Sequence, residues 1–341
     1  VVPDRMGASE TFSIVVNAGD SNGLKSFVAS LIKKADSSES WKEPENITGK
    51  TFNKTIVLDA PKFTKGDGLY LLRIECKDVA EKTSKIIEKE INYDATAPTL
   101  VITTSFPTWT NTKTYKVEGT ASDAGVGVRV VKYKVNNGSE QVFSGKDSWN
   151  GYVELNEGEN TLTIFAEDEV KNKSVEVMRT IKVDTKAPIL NFVTPLTGEK
   201  LLADSLPLGE VEFSANDLPS GSEPVSGIKE VRYSENPNST FDDATLMTKA
   251  GNNYKANITS IPPVSEYYFW AKDIAGNVSG VKKIKVEVDN SRPQISLKRI
   301  TPEVEISSTK YTNKITTIMG TASDDRGIKD IKIRDESGHE L

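Results

Sequence analysis

The chain has 341 residues, 36% of them apolar and 27% charged, with a net charge of −6 and a mean hydropathy of −0.41. That length exceeds what one hydrophobic core usually organises, so several domains are expected. No apolar run approaches the roughly 20 residues of a membrane-spanning helix, and basic residues scattered through an acidic chain disfavour nucleic acid as a partner.

A single period runs through the chain. Asp78 precedes Asp94 by 16 residues, and the same spacing separates Asp168 from Asp184 and Asp273 from Asp289. A proline stands four residues further on each time, at Pro98, Pro188 and Pro293. Such recurrence marks a tandem array. The segments it implies are 1–94, 95–184, 185–289 and 290–341. Val2-Pro3 aligns with Phe106-Pro107, Thr194-Pro195 and Thr301-Pro302, so the first segment is expected to lack its opening strand. The last is expected to stop part-way, at Leu341, and the whole reads as an internal piece of a longer protein.

In chain order, each segment carries a run of alternating apolar residues, the period of a half-buried strand. These runs are Ile14, Val16 and Ala18, then Val117, Gly119 and Ala121, then Val211, Phe213 and Ala215, then Ile318, Gly320 and Ala322. An aspartate closes each one, at Asp20, Asp123, Asp217 and Asp324. A Gly-apolar-basic triplet follows, and the next strand sets Phe27, Val131, Val231 or Ile331 on one face. In the second segment Asn137-Gly138 predicts a type I′ hairpin, because both central residues of that turn need positive φ. Leu162, Ile164 and Ala166 then alternate inward, as do Leu72, Ile74 and Cys76, and Tyr267, Phe269 and Ala271. Long helices are absent; Val79 to Lys89 has some helical composition, but its repeat position argues for a loop and a strand. About seven short strands in 90 to 105 residues predict an all-β fold of tandem immunoglobulin-like Greek-key sandwiches in an elongated array.

Cys76, the only cysteine, rules out an internal disulfide and a cysteine zinc site, and its register with Ala166 and Ala271 reads as a small core residue. His339, the only histidine, lies near the end of an incomplete segment and is poorly placed to build a catalytic triad. The aspartates that stand out recur in every segment, which fits architecture better than a single active site. No catalytic residue and no cofactor site is assigned.

Topology gives those aspartates a common destination. The loops that carry Asp123 and Asp168 share the end of a sandwich at which the chain enters, and Asp94 lies in the entering linker. Asp94, Asp123 and Asp168 should therefore meet at one junction, and Asp184, Asp217 and Asp273 at the next. Three converging carboxylates can bind calcium, which takes six to eight oxygen ligands. The competing reading, preferred here, is that each aspartate caps its own turn by accepting backbone N–H bonds. Calcium loops usually carry closely spaced acids, and a lysine follows soon after Asp20 and Asp324. A second candidate is the pair Tyr268 and Trp270, which point away from the core residues Tyr267 and Phe269 and are placed to stack on a sugar or a partner, unless a neighbouring loop covers them. Trp109 and Trp149 read as packing residues at the sandwich rim.

Ala271-Lys272-Asp273-Ile274-Ala275-Gly276-Asn277, followed by Asp289 and Pro293, resembles the tandem bacterial immunoglobulin-like repeats, and Asn156-Glu157-Gly158-Glu159-Asn160 ahead of a strand adds to the likeness. The first segment departs from it, with Glu81-Lys82 in place of Gly276-Asn277, and the second has Lys171 in place of the glycine. The resemblance implies a non-catalytic bacterial segment, extracellular or at the cell surface, that acts as a stiff spacer or part of an adhesin meeting a protein or glycan. The alternative it implies is an accessory carbohydrate-binding or spacer module of a secreted glycan-active enzyme. Certain calcium-dependent adhesin repeats that resemble these use such junctions.

Overall fold

The structure, a computed structural model, describes the chain except residues 1, 195–199, 204–208, 220, 259–263, 289–290, 302–303, 307–308, 312–316, 325–326, 335–336, 338 and 341. Asp289, the second aspartate of the third repeat's pair, Pro195 and Pro302 therefore lie outside the described residues. The chain forms two compact units, residues 1–186 with 219–226, and residues 187–218 with 227–341.

The first unit holds two sandwiches. In the first, β1 (Arg5–Gly7), β2 (Phe12–Lys33), β3 (Ser38–Leu58), β4 (Gly68–Asp78) and β5 (Ile87–Asp94) form one sheet in the order β1-β5-β4-β2-β3. At 22 and 21 residues, β2 and β3 are far longer than an ordinary strand. They bend instead of running straight, with register shifts between Gly19 and Ser26 where Gly23 takes φ +114° and Gly49 φ +147°. Beyond the bend Leu24–Lys33 pairs with both β3 and β4, whereas Phe12–Gly19 pairs with β3 alone. The bent hairpin so makes the second layer: Val16, Ile56 and Leu58 face Phe27, Leu31 and Leu72 across one core.

The second sandwich contains β6 (Thr99–Ile102), β7 (Trp109–Thr110), β8 (Thr114–Ser122), β9 (Val128–Val135), β10 (Gln141–Val142), β11 (Ser144–Gly145), β12 (Ser148–Glu154), β13 (Gly158–Asp168) and β14 (Val177–Val183). Its sheets run β10-β9-β13-β14-β7 and β11-β12-β8-β6. Its core gathers Val117, Val131, Trp149, Leu162 and Ile164. Trp149 sits fully inside that core against Phe143, while Trp109 is half-buried with the Lys182 ammonium 5.7 Å from its ring centre.

The second unit repeats the plan with β15 (Ile189–Thr194), β16 (Lys200–Ala203), β17 (Gly209–Asn216), β18 (Ile228–Ser234), β19 (Thr245–Leu246), β20 (Thr248–Ala250), β21 (Asn253–Ile258), β22 (Val264–Asp273) and β23 (Lys282–Val288). The sheets are β15-β17-β21-β20 and β16-β23-β22-β18-β19. Beyond them β24 (Gln294–Thr301) pairs with β27 (Thr317–Ser323), and β25 (Val304–Ile306) with β26 (Thr309–Tyr311).

The inward register is the same in three sandwiches. Cys76 lies opposite Phe27, Ala166 opposite Val131 and Ala271 opposite Val231. The stretch from Val79 to Lys89 is a loop followed, from Ile87, by the start of β5. The hairpin after β9 differs from expectation. Asn136, not Asn137 or Gly138, takes positive φ, at +54°, and Gly138 N–H donates to Val135 C=O at 3.0 Å. The turn sits one residue early because Asn136 is tied to β13: its side-chain oxygen accepts from Thr161 N–H at 2.8 Å, and its own N–H donates to Thr161 C=O.

Candidate functional site

The site is assembled from one local device used three times. Asp78, Asp168 and Asp273 each end a strand, and Oδ1 of each accepts the backbone N–H four residues on, from Lys82, Asn172 and Asn277, at 2.8 Å. A second donor lies inside the turn, namely Ala80, Val170 or Gly276. The turn requires positive φ at its third residue after the aspartate. Gly276 supplies it at +106°, but Glu81 and Lys171 adopt +64° and +69° despite the steric cost of a side chain there. The departures from Gly-Asn in the first two repeats therefore leave the turn intact. Asn172 and Asn277 add a side-chain bond to Oδ2 of their aspartates at 2.7 Å, which Lys82 has no means to copy as an anchored amide.

Six residues after each aspartate stands a serine, Ser84, Ser174 or Ser279, whose hydroxyl accepts the backbone N–H of Cys76, Ala166 or Ala271 at 2.9 Å. A second overlooked device closes the linkers. Asp67 accepts from Ala95 N–H at 2.8 Å and from the Thr96 hydroxyl. Glu157 accepts from Thr185 N–H at 2.8 Å and its hydroxyl at 2.9 Å. Each acid lies 27 residues before the linker aspartate it supports, Asp94 or Asp184, and that shared offset was the available signal.

At the first junction the three predicted aspartates come together. Asp94, Asp123 and Asp168 each offer a carboxylate oxygen, and the three oxygens lie within 4.8 Å of one another. Asp94 and Asp168 are fully buried. Asp94 accepts from Thr96 and Val126 N–H, both at 2.9 Å, so one side chain joins the linker to the second sandwich. Oδ2 of Asp123 accepts from Gly125 at 2.9 Å and Gly127 at 2.8 Å, while its Oδ1 is buried without a hydrogen-bond partner. Gly125 is obligatory here, because a Cβ would sit 2.1 Å from Oδ2 of Asp94. Asn172 completes the clamp, donating to the carbonyls of Asp94 at 3.0 Å and Thr96 at 3.3 Å. The sandwiches also touch directly: a Cβ on Gly7 would meet the Val170 carbonyl at 2.7 Å, and Arg5 pairs with Glu169 at 3.8 Å.

The electrostatics of this cluster are unfavourable for three free charges. At 4.8 Å and an effective dielectric of 20, each like-charged pair costs about 3 kcal/mol. Burial pushes the Asp94 carboxyl above the ordinary aspartate range; the Val126 and Thr96 amides pull it back, and Asp123 and Asp67 push it up again.

Of the second predicted set, Asp184 belongs to the first unit and Asp217 and Asp273 to the second, and each repeats its counterpart's bonds within its own unit. Asp184 accepts from Lys186 N–H at 3.1 Å and Ser226 N–H at 2.8 Å, as Asp94 does from Thr96 and Val126. Asp217 accepts from Gly227 N–H at 2.7 Å, matching Asp123 with Gly127. Residues 219–226 belong to the first unit, where Lys186 Nζ donates to Pro219 C=O at 2.9 Å.

Tyr268 and Trp270 stack at 6.4 Å between centroids. Tyr268 is only 6% exposed, with its hydroxyl on Glu266 and the Lys283 ammonium 5.0 Å from its ring centre. Trp270 is half-buried. At the position of Trp270 the second sandwich has Phe165, buried beneath Lys173, whose ammonium is 3.7 Å from the ring centre. His339 is exposed.

Residues 98–185 match the family model described as glucodextranase, domain B. The chain as a whole is built of tandem immunoglobulin-like sandwiches. Among solved structures, the chain is similar to the fibronectin(III)-like modules of Clostridium thermocellum CbhA, at 16% identity and a TM-score of 0.30 over 54% of this chain and 90% of that one. It is similar also to extracellular domains 3–5 of Drosophila OTK, at 10% identity and a TM-score of 0.30 over 84% of this chain and 93% of that one. No curated protein matches. Among the described residues, no helix is long and apolar enough to cross a membrane.

Proposed function

We propose that these repeats form a non-catalytic, extracellular spacer whose work is mechanical: successive sandwiches are clamped so that a distal part of the protein is held away from a surface or presented to a partner. The observation that carries this reading is the first junction. There one five-residue linker, Asp94 to Pro98, is gripped by Asp67 from the sandwich before it and by Val126 and Asn172 from the sandwich after it. A linker meant to flex would leave those backbone groups to water. The distance distribution across that junction in solution tests the proposal, since a clamp gives one narrow population and a tether gives a broad one.

The family-model match to a glucodextranase domain over 98–185 favours a second reading, an accessory module of a secreted, bacterial glycan-active enzyme. In that setting the Tyr268 and Trp270 pair is the proposed contact to a sugar, through the part of the Trp270 ring that remains exposed. Binding to a panel of soluble glucans, lost in Trp270→Ala, supports this reading, and no binding to any of them removes it.

A calcium ion at Asp94, Asp123 and Asp168 is a further proposal. Hard carboxylate oxygens suit calcium, and the buried Oδ1 of Asp123 has no protein donor. Most of the other oxygens already accept N–H bonds, so water would have to complete the coordination. The ion would supply charge neutralisation and stiffness at the junction.

A further inference from the structure

The third sandwich carries a row of lysines that the two sandwiches before it do not repeat. An open groove of about 710 Å³ runs between β15 and β23, within the roughly 300–1,000 Å³ usual for a ligand site. Its apolar lining comes mainly from β15, where Leu190 is buried, Phe192 half-buried and Ile189 exposed. Lys282, Lys283 and Lys285 are exposed along the opposite wall, and among the described residues that line the groove Glu266 is the single acid. Among the described residues neither Lys282 nor Lys283 has an ion-pair partner.

Lysine near a sheet edge also serves to block unwanted strand pairing. That need is common to the three sandwiches, yet the residues are not. Lys282 lies opposite Phe269 as Val177 does opposite Ile164 and Ile87 opposite Ile74. In that register Lys283 and Lys285 correspond to Met178 and Thr180 in the second sandwich and to Glu88 and Glu90 in the first. The groove is also continuous with the aromatic pair on the same sheet, because Lys283 and Glu266 belong to both. The Lys283 ammonium stands 5.0 Å from the Tyr268 ring centre, Glu266 accepts from the Tyr268 hydroxyl at 2.7 Å, and Tyr268 stacks on Trp270.

We infer that this surface binds an acidic polysaccharide, a glycan chain bearing carboxylate or sulfate groups. One sugar ring lies against the exposed part of Trp270, and the chain continues past Tyr268 into the groove. There its anionic groups meet the ammonium groups of Lys282 and Lys283, while the apolar faces of its rings cover Ile189 and Val281. A neutral glycan would leave the lysines unmatched, and an acidic peptide would leave the aromatic pair without a use. The inference rests on the accessory-module reading and narrows its sugar to an anionic one.

The test titrates the full chain calorimetrically with oligogalacturonate and with dextran sulfate oligomers, beside their neutral counterparts, methyl-esterified oligogalacturonate and dextran. Saturable binding of at least one anionic oligomer, weakening as salt screens the lysines, is the expected result. The double variant Lys282→Gln, Lys283→Gln should bind it roughly tenfold more weakly, with melting unchanged because both side chains are exposed. Trp270→Ala should weaken the same ligand. Equal binding of the neutral counterpart, or of either variant, overturns the inference. So does equal binding of polyglutamate, which would make the lysines a site for an acidic peptide. Binding of neutral glucans without either anionic oligomer overturns the inference and leaves the accessory-module reading standing, whereas no binding of any oligomer up to millimolar concentration removes both.

Discussion

Replacing Asp123 with asparagine separates the two roles open to the junction cluster. Asparagine keeps one oxygen to accept from Gly125 and Gly127, the bonds Oδ2 makes now, and places an amide N–H₂ where the partnerless Oδ1 faces the other carboxylates. One negative charge disappears, and with it two like-charged pairs of about 3 kcal/mol each at an effective dielectric of 20. Asp123 is only partly buried and Asp94 is pushed toward holding a proton, so the gain is smaller, about 1–2 kcal/mol. For a unit of this size that raises the melting temperature by roughly 2–8 °C. The sign should therefore be a stabilised variant in chelator. If the cluster holds calcium, the order reverses in its presence, because the parent would gain about 2.7 kcal/mol at a hundredfold excess over the dissociation constant and the variant has lost a ligand; if the aspartates only cap turns, calcium leaves the order unchanged. Thermal unfolding of both proteins with chelator and with calcium reads the four numbers. A variant that melts below the parent in chelator refutes the repulsion argument and leaves Asp123 a simple turn cap. A parent unmoved by calcium removes the ion.

Other consequences arise from the same geometry. Asp94, pushed up by burial, should titrate above the ordinary value of about 3.9 when its carboxyl carbon is followed by NMR without calcium. A folded-state value above the unfolded one means that the stability Asp94 contributes is complete at low pH and is lost as pH rises through that midpoint; a midpoint at or below 3.9 would contradict this. Ser174→Ala strands the buried Ala166 N–H and should cost about 1–3 kcal/mol in denaturant unfolding, and a loss below about 0.5 would show that another acceptor takes over. Cys76, buried and with its thiol pushed up by that burial, should resist thiol reagents until the first unit unfolds, and labelling at the unfolded rate would place it outside the core.

The fold was legible because its signal is redundant. Alternation set the inward face of each strand, and the aspartate period set the frame in which Cys76, Ala166 and Ala271 share a position. The meeting of Asp94, Asp123 and Asp168 followed from topology alone, since the linker and two loops of a sandwich share one end. What stayed hidden was chemistry carried by unlike residues. Asp67 and Glu157 perform one task at one offset, but identity-based reading of the sequence passes over an aspartate aligned with a glutamate. Ser84, Ser174 and Ser279 do recur, yet a serine in a polar loop carries no hydropathy signal. The turn at Asn136 escaped because local preference favours Asn137-Gly138, and the bonds to Thr161 that move it come from a strand more than 20 residues away.

The central claim, that a clamped linker holds the first two sandwiches in one arrangement, is tested most directly by pulsed electron–electron resonance. Spin labels go on the exposed positions Lys50 and Tyr152, one in each sandwich, with Cys76→Ala borrowing the alanine that the other repeats use there. The clamp predicts a single narrow distance distribution that keeps its width across salt concentrations. A broad distribution, spread as a flexible five-residue tether would allow, would contradict the account.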